Sequence, residues 1–227
     1  MIRPVIFITL FLSVAAGRSA AQSFYRISGD YVIKARLADT TSQLVMGKFY
    51  YDRNIKKIVY INSFPEKETW VTCDSSLYLF VDGELIQRQR VPPAAEFTIF
   101  HLALENQLDH FGLKNTFYRI EKVEKQDDLV VTTWAPHKKL ADLFGKVMIS
   151  NKNRRIHGIV FFDHEGELVK KQFFENFVQA DGLDFPTDVV EIIYSEGEEH
   201  YRKTTYRNIR VNEWEHENIY DYPLPVL

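Results

Sequence analysis

Residues 47–80 read GKFYYDRNIKKIVYINSFPEKETWVTCDSSLYLF, a stretch in which short apolar runs alternate with turn-forming residues. The runs Lys56–Asn62, Thr69–Cys73 and Leu77–Val81 are rich in Val, Ile, Tyr and Thr, which are typical of β-strands. Turn residues such as Asp52-Arg53-Asn54 separate these runs. Closely spaced strands joined by such short turns predict an antiparallel meander.

The same alternation extends over most of the chain. Tyr31–Leu37, Gln43–Tyr51 and Leu85–Arg90 belong with the first group of runs, and a second group follows between Tyr118 and Val211. No helix-length segment separates successive runs, which argues against a parallel βαβ sheet. We therefore predict a mainly β (α+β) fold with one curved antiparallel sheet of about 11 strands.

The segment from Glu96 to Phe111 has a different periodicity. Its apolar residues recur three or four positions apart, which is typical of one face of an amphipathic helix. These residues are Phe97, Phe100, Leu104, Leu108 and Phe111. Gly112 follows at the position of a left-handed cap. We predict one helix over 96–111 that lies across the concave face of the sheet.

The N-terminus has the layout of a secretory signal peptide. An apolar run at Val5–Ala16 is too short to cross a bilayer comfortably, and it is followed by the small residues Ser19-Ala20-Ala21. This pattern predicts cleavage after Ala21, a mature start at Gln22 and a single domain over 22–227. An uncleaved N-terminal membrane anchor is the alternative.

Composition excludes several classes of protein. An apolar fraction of 45% and a charged fraction of 26% are ordinary for a globular chain and argue against wholesale disorder. A formal net charge of −3 argues against nucleic-acid binding, which favours a basic face. The single cysteine, Cys73, excludes an internal disulfide and a multi-cysteine metal site, and we interpret it as a buried structural thiol.

Catalytic and metal-binding motifs are not evident. The chain carries no G-x-S-x-G, no H-E-x-x-H, no Gly-rich phosphate loop and no dinucleotide-binding fingerprint. His157, Asp163, His164 and Glu165 surround one predicted turn, and Glu213–Glu217 is an acidic stretch. Both are interpreted as solvated surface, with a cation site as the alternative at each. We predict no metal, no cofactor and no enzymatic activity; a secreted hydrolase is the alternative class.

The aromatic content points to an apolar cavity. Several strands carry large apolar groups on both faces, as at Tyr50-Tyr51 and Phe161-Phe162. One helix is too small to cover that much apolar surface, and the surplus can line a pocket for an apolar ligand. A solid core is the alternative.

In the order and spacing of several motifs, the chain resembles the LolA-type periplasmic lipoprotein carriers. The resemblance covers nearly all of residues 30–225. The matching stretches are Gly47–Arg53, Ile58 with Tyr60, Phe64–Glu66, Asp74–Phe80, Leu129–Pro136, Ile156–Phe177 and Ile219–Pro223, the last of which resembles the family's closing strand.

This resemblance implies an unclosed antiparallel half-barrel with a helical lid. It also implies a periplasmic, monomeric carrier of lipoprotein acyl chains or other lipid. Its implied partners are a release machinery at the inner membrane and an acceptor at the outer membrane. The turn arginine, Arg53, is expected to hold the lid closed by donating to backbone carbonyls of the helix; an exposed turn arginine without this role is the alternative. Asn54 and Ser75 depart from the proline and glycine of the family pattern.

The predicted cavity and lid therefore combine strand aromatics, the helix stripe and the turn arginine. They are Phe49, Tyr51, Arg53, Tyr60, Phe80, Phe97, Phe100, Leu104, Leu108, Trp134 and Phe161. The alternative function is a non-catalytic sensor or regulatory binding module of the cell envelope with the same fold.

Overall fold

The computed structural model describes residues 23–37, 39, 41–91 and 98–225. Within these ranges, thirteen strands form one antiparallel sheet. They are β1 (Arg26–Arg36), β2 (Ser42–Asp52), β3 (Lys57–Phe64), β4 (Glu68–Cys73), β5 (Ser76–Val81), β6 (Glu84–Arg90), β7 (Tyr118–Gln126), β8 (Leu129–Pro136), β9 (Val147–Lys152), β10 (Arg155–Phe162), β11 (Leu168–Ala180), β12 (Leu183–Ser195) and β13 (Glu198–Val211).

The sheet consists of two meanders joined in the middle. The strand order is β6-β5-β4-β3-β2-β1-β13-β12-β11-β10-β9-β8-β7, so the first and last strands pair with each other. Their register brings Tyr31 opposite Tyr206. The edge strands β6 and β7 are consecutive in sequence but do not pair with each other among the described residues, so the sheet is open. The predicted antiparallel half-barrel is confirmed, with 13 strands rather than about 11.

The predicted helix over 96–111 is wrong in length. The α-helix α1 spans only Ile99–Leu104, and 3-10 turns follow at Leu108–His110 and Leu113–Asn115. Asn106 adopts a positive φ of 54°, which is incompatible with helix continuation. Gly112 does take the left-handed conformation expected of it, at φ 72°, but before the second 3-10 turn.

Apolar side chains pack on both faces of the sheet. On the concave face, α1 lies over a core that includes Phe49 and Phe185. On the convex face, a row across β2–β5 is covered by the C-terminal segment. The row consists of Tyr50, Val59, Val71 and Tyr78, and the covering residues include Tyr220, Tyr222 and Leu224.

The C-terminal segment is therefore a cover and not a strand. Residues Glu217–Tyr220 form the short helix α2, which corrects the expectation of a closing strand over Ile219–Pro223. Arg26, buried in β1, fixes this helix by bonding Asp52 through Nε at 2.6 Å and Glu217 through Nη2 at 2.8 Å. The Lys57 ammonium adds an ion pair to Asp221 at 2.6 Å.

Among the described residues, no helix is both long enough and apolar enough to cross a membrane. The predicted signal peptide, residues 1–21, and Phe97 of the predicted helix stripe lie outside the described residues.

Candidate functional site: a cavity beside helix α1

A cavity of about 650 Å³ opens beside α1 on the concave face. Its walls are α1, the 3-10 turns that follow it, and strands from both halves of the sheet. The aromatic side chains in its lining include Tyr60, Phe100, Phe111, Phe161 and Tyr206. Its size is in the range of pockets that hold one small ligand.

Aromatic stacking seats α1 on the sheet. The ring of Phe100 stacks on Phe49, with centroids 4.5 Å apart and planes 13° apart. Tyr206 packs edge-on against Phe100 at 5.6 Å. A hydrogen bond of 2.8 Å joins the Tyr51 hydroxyl and Nδ1 of His101 on the helix. These contacts attach α1 to β2 and β13 through side chains alone.

The other end of α1 is attached by an ion pair. Nη1 of Arg53 lies 2.9 Å from Oε1 of Glu105, which caps the helix. The acceptor is thus a side-chain carboxylate and not the backbone carbonyls expected from the sequence. Arg53, Leu104 and Leu108 line a separate, more polar cavity of about 580 Å³ at this end.

The remaining predicted site residues are placed as follows. Trp134 is buried in the concave core, where its Nε1 donates to Thr132 at 3.0 Å. Phe80 does not reach the concave face: it packs on the convex side against Tyr222, with centroids 5.1 Å apart. The expectation that Phe80 lines the cavity is therefore wrong. Both faces of β5 are apolar, so alternation alone does not identify the inner one.

Four polar residues lie on one wall of the cavity, and the sequence analysis did not predict them as site residues. Lys170 on β11, Glu191 on β12 and Arg202 on β13 all line it, together with Gln172. Gln172 lies directly opposite Glu191, and Glu191 directly opposite Arg202. The signal that marks them is a polar residue at an inward position between apolar ones, as with Gln172 before the buried Phe174.

The tyrosines of the cavity are held neutral. Burial raises the pKa of Tyr60 to about 12 and raises the pKa of Tyr206 well above its ordinary value. Burial likewise raises the pKa of Tyr31, whose hydroxyl donates to Asn62. These groups offer hydrogen bonds and no negative charge at physiological pH.

At both stretches for which a cation site was the alternative, a carboxylate accepts hydrogen bonds from groups of the protein itself. Ligand atoms of Glu213, Glu215 and His216 lie within 4.8 Å of one another. One Glu213 carboxylate oxygen accepts from the Ser28 hydroxyl at 2.7 Å and lies 3.1 Å from His216 Nδ1. At the other stretch, the Asp163 carboxylate caps the backbone amides of its own turn. Neither arrangement provides chemistry at the cavity.

No protein-family model matches the sequence, and no curated protein matches it. Solved structures do match. A LolA superfamily protein from Nitrosomonas europaea superposes with a TM-score of 0.58 at 14% identity, covering 86% of this chain and 90% of that one. The chain has a LolA-like fold.

Two further structures share the LolA-like fold. A domain described as that of an outer membrane lipoprotein-sorting protein from Vibrio parahaemolyticus gives a TM-score of 0.60 at 13% identity, covering 87% of this chain and 89% of its own. A DUF1329 family protein from Desulfovibrio piger gives 0.59 at 13% identity, covering 88% and 91%. At these identities the similarity establishes the fold alone.

Proposed function

We propose that this protein is a non-catalytic carrier that takes an acyl chain into the cavity beside α1 and moves a lipid or a lipidated protein through the periplasm. The observation that supports the proposal is the packing of α1 on the concave face, directly beside the cavity. An apolar helix of six residues rests on the concave face through Phe100 and Phe49, directly beside a cavity lined by aromatic side chains.

The energetics favour an acyl ligand. Burying a chain of about fourteen CH₂ groups gains on the order of 11 kcal/mol before the costs of immobilisation. Such a gain needs no charged catalyst, and an apolar wall with few polar groups is what an aliphatic chain requires.

The lining supports binding rather than catalysis. Within the described part of the chain, the cavity is lined by no serine, cysteine or histidine. Its tyrosines have raised pKa values, as Tyr60 and Tyr206 illustrate, and a protonated phenol is a poor nucleophile. Lys170 and Glu191, which also line the cavity, form an ion pair with each other at 3.4 Å.

The N-terminal sequence and the fold support the proposed periplasmic location and the proposed partners. The predicted signal peptide supports export, and the LolA-like fold, shared with a domain described as lipoprotein-sorting, supports a role between two membranes. We expect a monomer that is loaded by a release machinery at the inner membrane and unloaded at an acceptor in the outer membrane.

A matched pair of variants tests acyl binding. Val189 is a buried residue of the cavity wall, whereas its neighbour Val190 belongs to a groove on the convex face. Val189→Phe fills the cavity and should weaken binding of a fluorescent fatty-acid analogue by about tenfold or more. Val190→Phe should leave binding unchanged, with circular dichroism to verify folding of both.

Mass spectrometry of ligand extracted from protein purified from its native host provides the second test. Recovery of acyl-containing molecules supports the proposal. An empty protein that also fails to bind the fluorescent analogue contradicts it. Photocrosslinking from the cavity in cells then separates the carrier from the envelope sensor, since a carrier captures lipoproteins and a sensor captures a signalling protein.

A further inference from the structure

Three charged side chains form a network on one wall of the mainly apolar cavity. Glu191 is buried, with 7% exposure, and its Oε2 accepts from Nε of Arg202 at 2.6 Å. Its Oε1 lies 3.4 Å from Nζ of Lys170. Both carboxylate oxygens are therefore engaged, while two cations share one anion and leave a formal charge of +1.

The two cations remain accessible from the cavity. The side chain of Lys170 is 29% exposed and that of Arg202 46% exposed, against 9% for Glu191. The Lys170 ammonium also lies 4.9 Å from the ring centroid of Phe161, which belongs to the apolar lining. A ligand in the cavity therefore meets positive charge next to apolar surface, while the carboxylate is covered.

Gln172 adds an unsatisfied acceptor in the same place. It is 5% exposed and lines the cavity directly opposite Glu191 in the sheet. Its Oε1 is buried and has no hydrogen-bond partner among the described residues. A buried acceptor without a partner is costly. Because this oxygen has almost no accessible surface, a rotation of the Gln172 side chain toward the cavity brings it to a ligand donor that removes the cost.

We propose that this polar wall, made of Lys170, Gln172, Glu191 and Arg202, holds the head group of an anionic single-chain phospholipid. The phosphate faces Lys170 and Arg202, a head-group hydroxyl donates to Gln172 Oε1, and the acyl chain occupies the apolar part of the cavity. The inference rests on the proposed function, because it assigns the head group of the ligand whose chain that function requires.

The charge balance explains why the head group is an anion. A choline head brings a third cation to a wall whose one carboxylate is already shared by two, whereas a phosphate without choline meets the uncompensated positive charge. A free fatty-acid carboxylate satisfies the cations but offers no donor to Gln172 at neutral pH. The wall therefore selects a phosphate that carries hydroxyl groups over either alternative.

Competition binding tests the inference. Palmitoyl lysophosphatidylglycerol, palmitoyl lysophosphatidylcholine, palmitate and monopalmitoylglycerol share one chain and differ in the head group. Each competes with a neutral fluorescent probe on the full mature protein. We expect lysophosphatidylglycerol to bind about tenfold more tightly than lysophosphatidylcholine, with a preference that falls as salt rises. It should also bind more tightly than palmitate.

Two adjacent lysines provide the matched control. Lys170→Gln should abolish most of the preference for lysophosphatidylglycerol over monopalmitoylglycerol, and Lys170→Arg should keep that preference, with circular dichroism to verify the folding of both variants. Lys171 lies on the other face, with its ammonium 5.3 Å from the Tyr194 ring, and Lys171→Gln should have no effect. Gln172→Leu should remove the advantage of lysophosphatidylglycerol over palmitate.

The outcomes separate the two proposals. Equal binding of all four ligands, or a preference that Lys170→Gln does not change, overturns the head-group assignment while acyl binding stands. Failure of every ligand, including monopalmitoylglycerol, to displace the probe contradicts the carrier function itself. A circular dichroism spectrum like that of the wild type shows that Lys170→Gln is folded.

Discussion

The guanidinium of Arg53, in the turn after β2, lies 2.9 Å from the carboxylate of Glu105, the residue that caps α1. The pair is half-buried, with 24% and 34% of the two side chains exposed. It joins the helix to the sheet at the end away from the 650 Å³ cavity. We expect α1 to move when an acyl chain enters the cavity, and this movement breaks the contact.

We therefore predict that Arg53→Leu increases retention of the ligand. An ion pair that forms only when α1 lies on the sheet without a ligand favours release of the ligand. Loss of this pair therefore shifts the population toward the ligand-bound state. A half-exposed pair contributes about 0.5–1 kcal/mol, which corresponds to about two- to fivefold slower transfer of a fluorescent acyl ligand to acceptor vesicles. Stopped-flow transfer measures this.

The charge-reversed pair is the control for Arg53. Arg53→Glu alone should resemble Arg53→Leu, and Arg53→Glu combined with Glu105→Arg should return the transfer rate toward that of the wild type. If the double variant behaves like the sum of the two single ones, the pair does not control release.

Much of the sheet could be predicted because its strands are bounded by strong turn residues. Asp74, Asp82, Asp127 and Asn153 all adopt positive φ at the hairpin positions where the sequence places turns. Each turn fixes the direction of the next strand, and the order of elements follows. The long-range pairing of β1 with β13 has no such local signal, and the sequence analysis did not predict it.

The errors arise where local patterns are ambiguous. The stripe from Phe100 to Phe111 continues with helical spacing through Asn106, but the backbone turns there and α1 ends. On β5, Tyr78 and Phe80 are buried under the C-terminal tail while the alternate residues face inward. Periodicity reports that a side chain is buried and does not report which layer buries it.

The polar wall was missed for a related reason. Its members are single residues at inward positions of three consecutive strands, such as Gln172 and Arg202. Only the register β11-β12-β13 places them side by side. A search for inward polar residues within apolar strands finds candidates, but pairing is needed to show that they converge.

Gly47 has a steric role that a substitution can measure. It lies at a register shift between β2 and β3, and a Cβ added there would stand 2.2 Å from the carbonyl oxygen of Ile61. Because the obstacle is backbone, we expect Gly47→Ala to cost about 3 kcal/mol in the free energy of unfolding. Urea denaturation provides the measurement.

Gly83→Ala is the comparison for Gly47. No atom lies within 4 Å of its added Cβ, so only the positive φ of 83° opposes the change, at a cost of about 1 kcal/mol. Equal losses at the two glycines would show that the close approach to Ile61 is relieved by a small shift of the strands.

Export depends on the small residues before Gln22. We predict that protein from the native host starts at Gln22 and that Ala21→Phe blocks cleavage, because signal peptidase requires a small residue at that position. Ala20→Phe, at the tolerant position between Ser19 and Ala21, should be processed normally. N-terminal sequencing of the periplasmic fraction tests both, and a retained Met1 in the wild type would contradict the prediction.

The C-terminal cover is expected to contribute strongly to stability. Tyr220 is fully buried and packs edge-on against Tyr50, with centroids 5.4 Å apart. Truncation of a buried aromatic costs about 3–5 kcal/mol, so Tyr220→Ala should lower the urea midpoint sharply without changing ligand selectivity. Trp214→Ala, at a side chain with 72% exposure, should cost far less. Similar losses would mean that the cover is peripheral to the fold.

Acid should weaken the attachment of the C-terminal segment to the sheet, because Glu217 in that segment bonds to Arg26. A hydrogen bond from Arg26 holds the pKa of this carboxyl below its ordinary value of 4.5. A group whose pKa is depressed by folding stabilises the folded state when ionised, so its contribution is present above pH 4.5 and is lost as pH falls through the lower folded value. The wild type should therefore lose thermal stability more steeply than Glu217→Gln between about pH 5 and about pH 3. Glu84→Gln, at an exposed residue of the edge strand β6, should preserve the wild-type dependence of thermal stability on pH.

Differential scanning fluorimetry across this pH range distinguishes the variants. Parallel curves of melting temperature against pH for the wild type and Glu217→Gln would show that the Arg26 bond does not couple protonation to folding.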